Sequence, residues 1–218
     1  MRYAVYFCPA PASALAALGR DWLDAALAPA GILGIRNALL ADVRRYGWHA
    51  TLRSPFTLGP GSELGDLRRA LAAVAQRHAP MNIALRLGRL GGFLALRPTA
   101  ECAAVHALAA ACTEAIEPLR APLAEPEFQR RAGGLDAIET LYLQRYGYPY
   151  VFDRYRFHMT LSAPATVEEE RALQRWLAMR AAMLPAARID ALTLCVERSP
   201  GSAFEPLERI ALHRASVA

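Results

Sequence analysis

Arg156-Phe157-His158-Met159-Thr160-Leu161-Ser162 decides the reading of this chain, because a shortened copy stands earlier as His49-Ala50-Thr51-Leu52-Arg53. Both copies read His-x-Thr-Leu, and in both apolar positions alternate with polar ones, the pattern of a half-buried strand. Residues two apart in a strand share a face. His49 therefore points with Thr51, and His158 with Thr160, while Ala50, Leu52, Phe157, Met159 and Leu161 turn into a core. A single His-x-Thr in a strand is ordinarily a half-exposed structural pair. Two such pairs brought face to face make a pocket with two imidazoles, two hydroxyl donors and no carboxylate. That set suits a reaction at phosphorus.

Outward from the motifs, the halves of the chain repeat a pattern. Arg2–Phe7 reads as a strand with Tyr3, Val5 and Phe7 on one side and Arg2, Ala4 and Tyr6 on the other, ended by Pro9 and Pro11. Ser13 can cap a helix to about Leu27 that buries Leu15, Leu18, Trp22 and Ala26. Pro29 to about Val43 is ambiguous between a short helix and a loop. Arg44-Arg45-Tyr46-Gly47 leads into the first motif strand, which Pro55 closes. Ser62 then caps a helix to about His78, and strands follow near Asn82–Leu87 and Phe93–Arg97 through a Gly91-Gly92 turn.

The second half opens with a helix from about Glu101 to Glu117, ended by Pro118, and a proline-rich loop to Pro126. A helix across Leu135–Tyr146 and a turn at Gly147-Tyr148-Pro149-Tyr150 lead to the second motif strand. Thr166 and Glu169 form a capping box for a helix to about Leu184. Strands near Arg188–Glu197 and Leu207–His213 finish the chain. Each motif is thus followed by helix, strand, strand, and the two histidines lie 109 residues apart in a chain of 218. This is an internal duplication of pattern, with little residue identity outside the motif. It predicts a single α+β domain over 1–218 whose approximate halves, 1–100 and 101–218, each carry one motif.

Composition narrows the function. With 54% hydrophobic and 21% charged residues the chain reads as a soluble globular protein. No apolar run approaches a membrane span and no leader pattern opens the sequence, so a cytoplasmic location is expected. Cys8, Cys102, Cys112 and Cys195 are scattered, as buried thiols in a reducing compartment would be. The formal charge of +5 favours an anionic ligand, and every basic residue is arginine. An arginine-only composition also follows from GC-rich codon usage. Neither His-x-His nor His-Asp nor a carboxylate cluster suggests a metal, and there is no glycine-rich phosphate loop or Gly-x-Ser-x-Gly elbow. No basic run with repeated aromatics argues for nucleic-acid binding as the main task.

Strand parity places Arg53, two after Thr51, and Arg156, two before His158, in the same cleft as the motif pairs. Arg45 joins them if its strand begins that early, and Tyr6 lies on the more polar face of the first strand. The remaining histidines read as structural: His78 at a helix end, His106 within a helix, His213 in the last strand.

The chain resembles the 2H phosphoesterase superfamily, and within it the DUF1045 branch associated with phosphonate metabolism through the carbon–phosphorus lyase pathway. The resemblance rests on Arg2-Tyr3-Ala4-Val5-Tyr6-Phe7, Arg45-Tyr46-Gly47-Trp48-His49-Ala50-Thr51-Leu52, Gly91-Gly92-Phe93-Leu94-Ala95-Leu96, Gly147-Tyr148-Pro149-Tyr150-Val151 and the second motif. Trp48 and Arg53 are mild departures that leave the catalytic pattern intact. The resemblance implies a bilobal fold, two pseudo-twofold-related lobes with antiparallel sheets facing a central cleft and helices outside. It implies metal-independent, cofactor-free hydrolysis of a cyclic phosphodiester by His49, Thr51, His158 and Thr160, with His49 as acid and His158 as base. Arg53, Arg156, Arg45 and Tyr6 are the candidate substrate-binding residues.

The implied substrate is a small phosphorylated sugar such as 5-phosphoribosyl 1,2-cyclic phosphate, whose terminal phosphate needs a cationic partner. RNA or a nucleotide with a 2′,3′-cyclic phosphate is the second choice. A binding protein that recognises a phosphorylated ligand without turnover is a third, disfavoured by the intact duplication of both pairs. No membrane and no obligate protein partner are expected.

Overall fold

The computed structural model describes residues 1–23 and 39–213. Expectations for Ala26, Leu27 and most of Pro29–Val43 lie outside these residues. Nine strands and seven helices are defined within them: β1 Arg2–Phe7, α1 Ala14–Leu23, α2 Ala41–Tyr46, β2 Ala50–Phe56, α3 Leu64–Gln76, β3 Met81–Ile83, β4 Leu85–Leu90, β5 Phe93–Pro98, α4 Ala103–Ile116, α5 Glu125–Ala132, α6 Ala137–Tyr146, β6 Met159–Thr160, α7 Val167–Ala182, β7 Ala187–Ile189, β8 Ala191–Glu197 and β9 Phe204–Ala211. The fold is α+β, with antiparallel sheets.

Seven strands form one sheet in the order β4-β5-β6-β2-β1-β8-β9, and β3 and β7 form a separate pair. The motif strands β2 and β6 lie side by side at the middle, joined by one registered pair, Ala50↔Met159. Two wings therefore meet at a narrow seam. The repeat is motif strand, helix, short strand, hairpin, so the two short strands β3 and β7 are an addition to the expected order. Equivalent strands pair with each other twice, β2 with β6 and β3 with β7, as a pseudo-twofold requires. The wings also exchange parts. The β4–β5 hairpin of the first half pairs with β6, while β8–β9 of the second half joins β2 through β1. Helices follow the exchange, α3 packing on β8 and β9, and α7 on β4.

Parity along the motif strands is as the alternation predicts. Ala50, Leu52, Phe157, Met159 and Leu161 are buried in the main core with Val5, Phe7, Leu94, Leu96 and Leu194. Such side chains contribute roughly 1.5–3 kcal/mol each on burial, and a one-residue slip would bring all of them to the other face. Helices close the core from that side: Leu67, Leu71 and Val74 of α3 and Val105, Leu108 and Cys112 of α4 are buried.

Several boundaries differ from the sequence reading for local reasons. Pro55 does not end β2, which runs on to Phe56; its edge toward β6 is paired only at Ala50, so a missing N–H there breaks no ladder bond. α3 is capped by Glu63 and Asp66 in a reciprocal box, not by Ser62. The reading of loop up to Pro126 gives way to α5, where Pro126 sits in the first turn and loses nothing by lacking an N–H. Thr166 and Glu169 do cap α7 as expected, and Ser13 Oγ accepts from the Ala16 amide at 3.1 Å.

The largest correction concerns Arg44-Arg45-Tyr46. These residues end helix α2 and do not lead a strand. Arg45 pairs at 2.7 Å with Glu197, whose carboxylate also binds Arg2. Glu197 is buried, and hydrogen bonding from Arg2 holds its carboxyl down at about 2, with Arg45 adding in the same direction. Arg45 ties α2 to β8 and does not line the cavity between the motifs.

Candidate active site

Each motif histidine sits just before its strand, its ring fixed by the backbone carbonyl two residues earlier. At the first, α2 ends at Gly47, whose φ of +76° suits glycine and not a side chain. That turn aims the Gly47 carbonyl at His49, and the two meet at Nδ1 across 3.0 Å. Trp48 locks that turn onto α1: its indole N–H donates to the Leu15 carbonyl at 2.9 Å. The ring lies so close to Gly19 that a Cβ there would stand 2.5 Å from it. His158 is held in the same way, Nδ1 against the Arg156 carbonyl at 2.8 Å. A carbonyl accepts, so Nδ1 carries the proton in both neutral rings and Nε2 is the unprotonated nitrogen of each.

Behind His49 stands Tyr6, buried, with ring centroids 3.9 Å apart. Beside it, Thr51 Oγ1 lies 3.3 Å from Nε2. Phe93 covers His158 at 5.8 Å. The second arm is fastened to the first motif by the Tyr155 hydroxyl, which donates to the Thr51 carbonyl at 2.9 Å.

A cavity of about 580 Å³ opens between the wings. Thr51, Arg53, Arg156 and His158 line it, four of the residues singled out by sequence. His49 stands beside the lining residue Thr51, half-buried, and Thr160 is half-buried on β6 opposite Ala95. Tyr6 is on the expected face but lies beneath His49; it is a support for the ring and does not line the cavity. The sequence reading missed the far wall, built from the segment after α6: Tyr148, Tyr150, Arg154 and Tyr155. That segment folds through a short 3₁₀ turn at Phe152–Arg154, with Phe152 at φ +51° packed against Tyr142 and Tyr146. The Gly-Tyr-Pro-Tyr cluster was its only sequence signal.

Electrostatics favour neutral imidazoles and an anionic guest. Burial pushes His49 down to about 4, opposed by the Gly47 carbonyl and reinforced by His158. His158 is lowered too, first by burial, against the Arg156 carbonyl and with help from Arg97. Arg53 is 2% exposed, donates to Ser54 Oγ at 2.9 Å and to the Tyr146 carbonyl at 2.6 Å, and leaves its Nε without a partner. Among the described residues no carboxylate pairs with it, and burial, with Arg120 nearby, lowers it to about 10. A buried cation without a counter-ion costs stability; under the cavity it supplies a positive floor. Arg156 is exposed at the rim with no side-chain partner among the described residues. Those residues contain no cluster of three or more His, Cys, Asp or Glu placed to hold a metal ion, and no helix long and apolar enough to cross a membrane.

Residues 51–205 match the family described as "Protein of unknown function (DUF1045)". The chain belongs to the DUF1045 family. It is 40% identical to the ribose 1,5-bisphosphate phosphokinase PhnN of Janthinobacterium sp. (strain Marseille), over 96% of this chain and 50% of that protein. Identity to the protein of the same name from Laribacter hongkongensis (strain HLHK9) is 39%, over 94% of this chain and 50% of that one. The DUF1045 chain thus spans about half the length of the curated relatives it matches. Among solved structures, TT0787 of Thermus thermophilus superposes with a TM-score of 0.51 at 17% identity, covering 97% of this chain and 98% of that one. It shares the fold. LigT of E. coli complexed with NADP+ gives a TM-score of 0.45 at 13% identity, with 98% of each chain covered.

Proposed function

We propose that this DUF1045 chain is a two-histidine phosphoesterase that opens a small cyclic phosphodiester without a metal. The observation that carries the reading is the pair of histidines anchored alike through Nδ1, which leaves Nε2 of each as the unprotonated nitrogen, beside one cavity that is floored by an arginine without a carboxylate partner among the described residues. Water adds to phosphorus as one imidazole takes its proton, and the P–O bond to the departing alkoxide breaks as the other imidazole supplies one. Thr51 and Thr160 are the candidate donors to the non-bridging oxygens. His49, the more strongly lowered of the two, suits the base, and His158 the acid, which reverses the order implied by resemblance.

The relatives' name adds a candidate for the product. This chain has no lysine and no glycine-rich phosphate loop, so we assign the phosphokinase activity to the half of those relatives that it does not match. Opening 5-phosphoribosyl 1,2-cyclic phosphate by breaking the bond from phosphorus to O2 yields ribose 1,5-bisphosphate, the compound in that name. The test follows the reaction by phosphorus NMR. Ribose 1,5-bisphosphate is the expected product; ribose 2,5-bisphosphate, or faster turnover of a nucleoside 2′,3′-cyclic phosphate, overturns the reading, the latter in favour of RNA-end processing.

The pH profile follows from the two histidines. A base must be neutral, so kcat/KM falls as pH drops through the His49 value of about 4. An acid must be protonated, so kcat/KM falls again as pH rises through the His158 value, which lies below 6.5. The expected profile is a bell on the acid side of neutrality, unchanged by chelator. An optimum above pH 8, or loss in chelator restored by a divalent ion, rejects it.

A further inference from the structure

Beside the cavity lies a groove of about 310 Å³ that shares Tyr155 and Arg156 with it. Its sheet wall carries Arg86 and Arg97, directly opposite one another on β4 and β5. Both side chains reach over Gly88, where a Cβ would meet Arg97 Cδ at 3.6 Å and Arg86 Nη1 at 3.7 Å. Like charges directly opposite in an antiparallel pair repel. Among the described residues nothing offsets them: Arg86 and Arg156 have no side-chain hydrogen bond or ion pair, and Arg97 makes only one, to the Arg89 carbonyl at 3.0 Å. Glu101, exposed, is the one carboxylate among the lining residues, and it pairs with none of the three. Helix α4 begins here as well, and its N-cap, Cys102, provides no side-chain acceptor. Its first amides therefore add positive potential to that of the guanidiniums.

We propose that this groove is an anion subsite that holds the second, non-reacting phosphate of the substrate, with Arg86, Arg97 and Arg156 as its ligands. This rests on the cyclic-phosphodiester reading above and narrows it to compounds carrying a terminal phosphate monoester. Arg53 is not that ligand. Two of its nitrogens are taken by Ser54 and Tyr146, and its Nε is walled off. The groove, in contrast, is open, its guanidiniums are unpaired, and Arg156 stands in both walls, so a ligand with two phosphates can span cavity and groove.

The experiment has a kinetic and a binding arm. The kinetic arm compares 5-phosphoribosyl 1,2-cyclic phosphate with ribose 1,2-cyclic phosphate, which lacks the terminal group. Charge-assisted contacts of this kind lead us to expect that Arg86→Gln lowers the kcat/KM ratio of the first over the second by roughly 10- to 100-fold. Arg86 is exposed, so the variant keeps the fold, and a melting curve checks that it does. The binding arm titrates ribose 5-phosphate by calorimetry into wild type, Arg86→Gln/Arg156→Gln and His49→Gln/His158→Gln. Binding should weaken at least about 10-fold in the arginine pair and persist in the histidine pair. An unchanged ratio in Arg86→Gln, or undiminished ribose 5-phosphate binding in the arginine pair, overturns the subsite. If wild type turns over neither cyclic compound yet binds ribose 5-phosphate through these arginines, the hydrolase reading fails and the subsite stands.

Discussion

His49→Ala and His158→Ala are each expected to lower kcat/KM by roughly 10²–10⁴-fold on the true substrate, the range for a positioned acid or base. The two rings are held in the same way, Nδ1 on a backbone carbonyl at 3.0 and 2.8 Å, although they come from opposite halves of the chain. Anchoring of that kind fixes tautomer and direction, which matters to a proton transfer and not to packing. Because both act on one transition state, the double variant should fall well short of the product of the single losses. His49→Ala also removes the ring against which Tyr6 stacks at 3.9 Å. His49→Gln fills that space and should be as inactive as the alanine variant while melting close to wild type. Wild-type kcat/KM in either well-folded single variant ends the two-histidine mechanism.

The sequence made the local half of this site legible. Period-two alternation placed Ala50, Leu52, Met159 and Leu161 inside and so put the histidines and threonines on the other face, and the burial of those four agrees. Recurrence of the motif located the seam between the wings. What it left out is non-local. Arg86 and Arg97 oppose each other only through the β4–β5 register, and their groove adjoins the catalytic cavity only because that hairpin is exchanged onto β6. No spacing along the chain reports such an exchange. Arg45 was misplaced for a related reason: Arg-Arg-Tyr before a strand reads as its continuation, whereas Glu197, about 150 residues on, holds it in a helix. Arg53 was placed correctly by parity, but its isolation from carboxylates depends on packing around Tyr146 that a strand pattern cannot report. Sequence could indicate that it faces the cleft, and only the fold that it works from beneath the floor.

Thr51→Val should cost roughly 10²–10³-fold in kcat, the loss typical of one donor to a developing oxyanion. Valine matches threonine in shape and keeps the β-branched preference of the strand. The backbone carbonyl that accepts from Tyr155 at 2.9 Å is untouched, so β2 and the second arm stay joined. In the free protein the hydroxyl lies 3.3 Å from His49 Nε2. That nitrogen is unprotonated while Nδ1 donates to Gly47, so the hydroxyl donates to it and favours the neutral ring. Removing a hydrogen bond to the neutral form raises a pKa. Thr51→Val should therefore move the acid limb of kcat/KM upward from the His49 value of about 4, in addition to lowering kcat. Thr51→Ser keeps the hydroxyl and should restore both the rate and the limb. A threonine that merely fills space would lose activity in the serine variant, which is smaller, and keep it in valine, which is not. That opposite order, or a valine variant with an unmoved acid limb, would remove Thr51 from the chemistry.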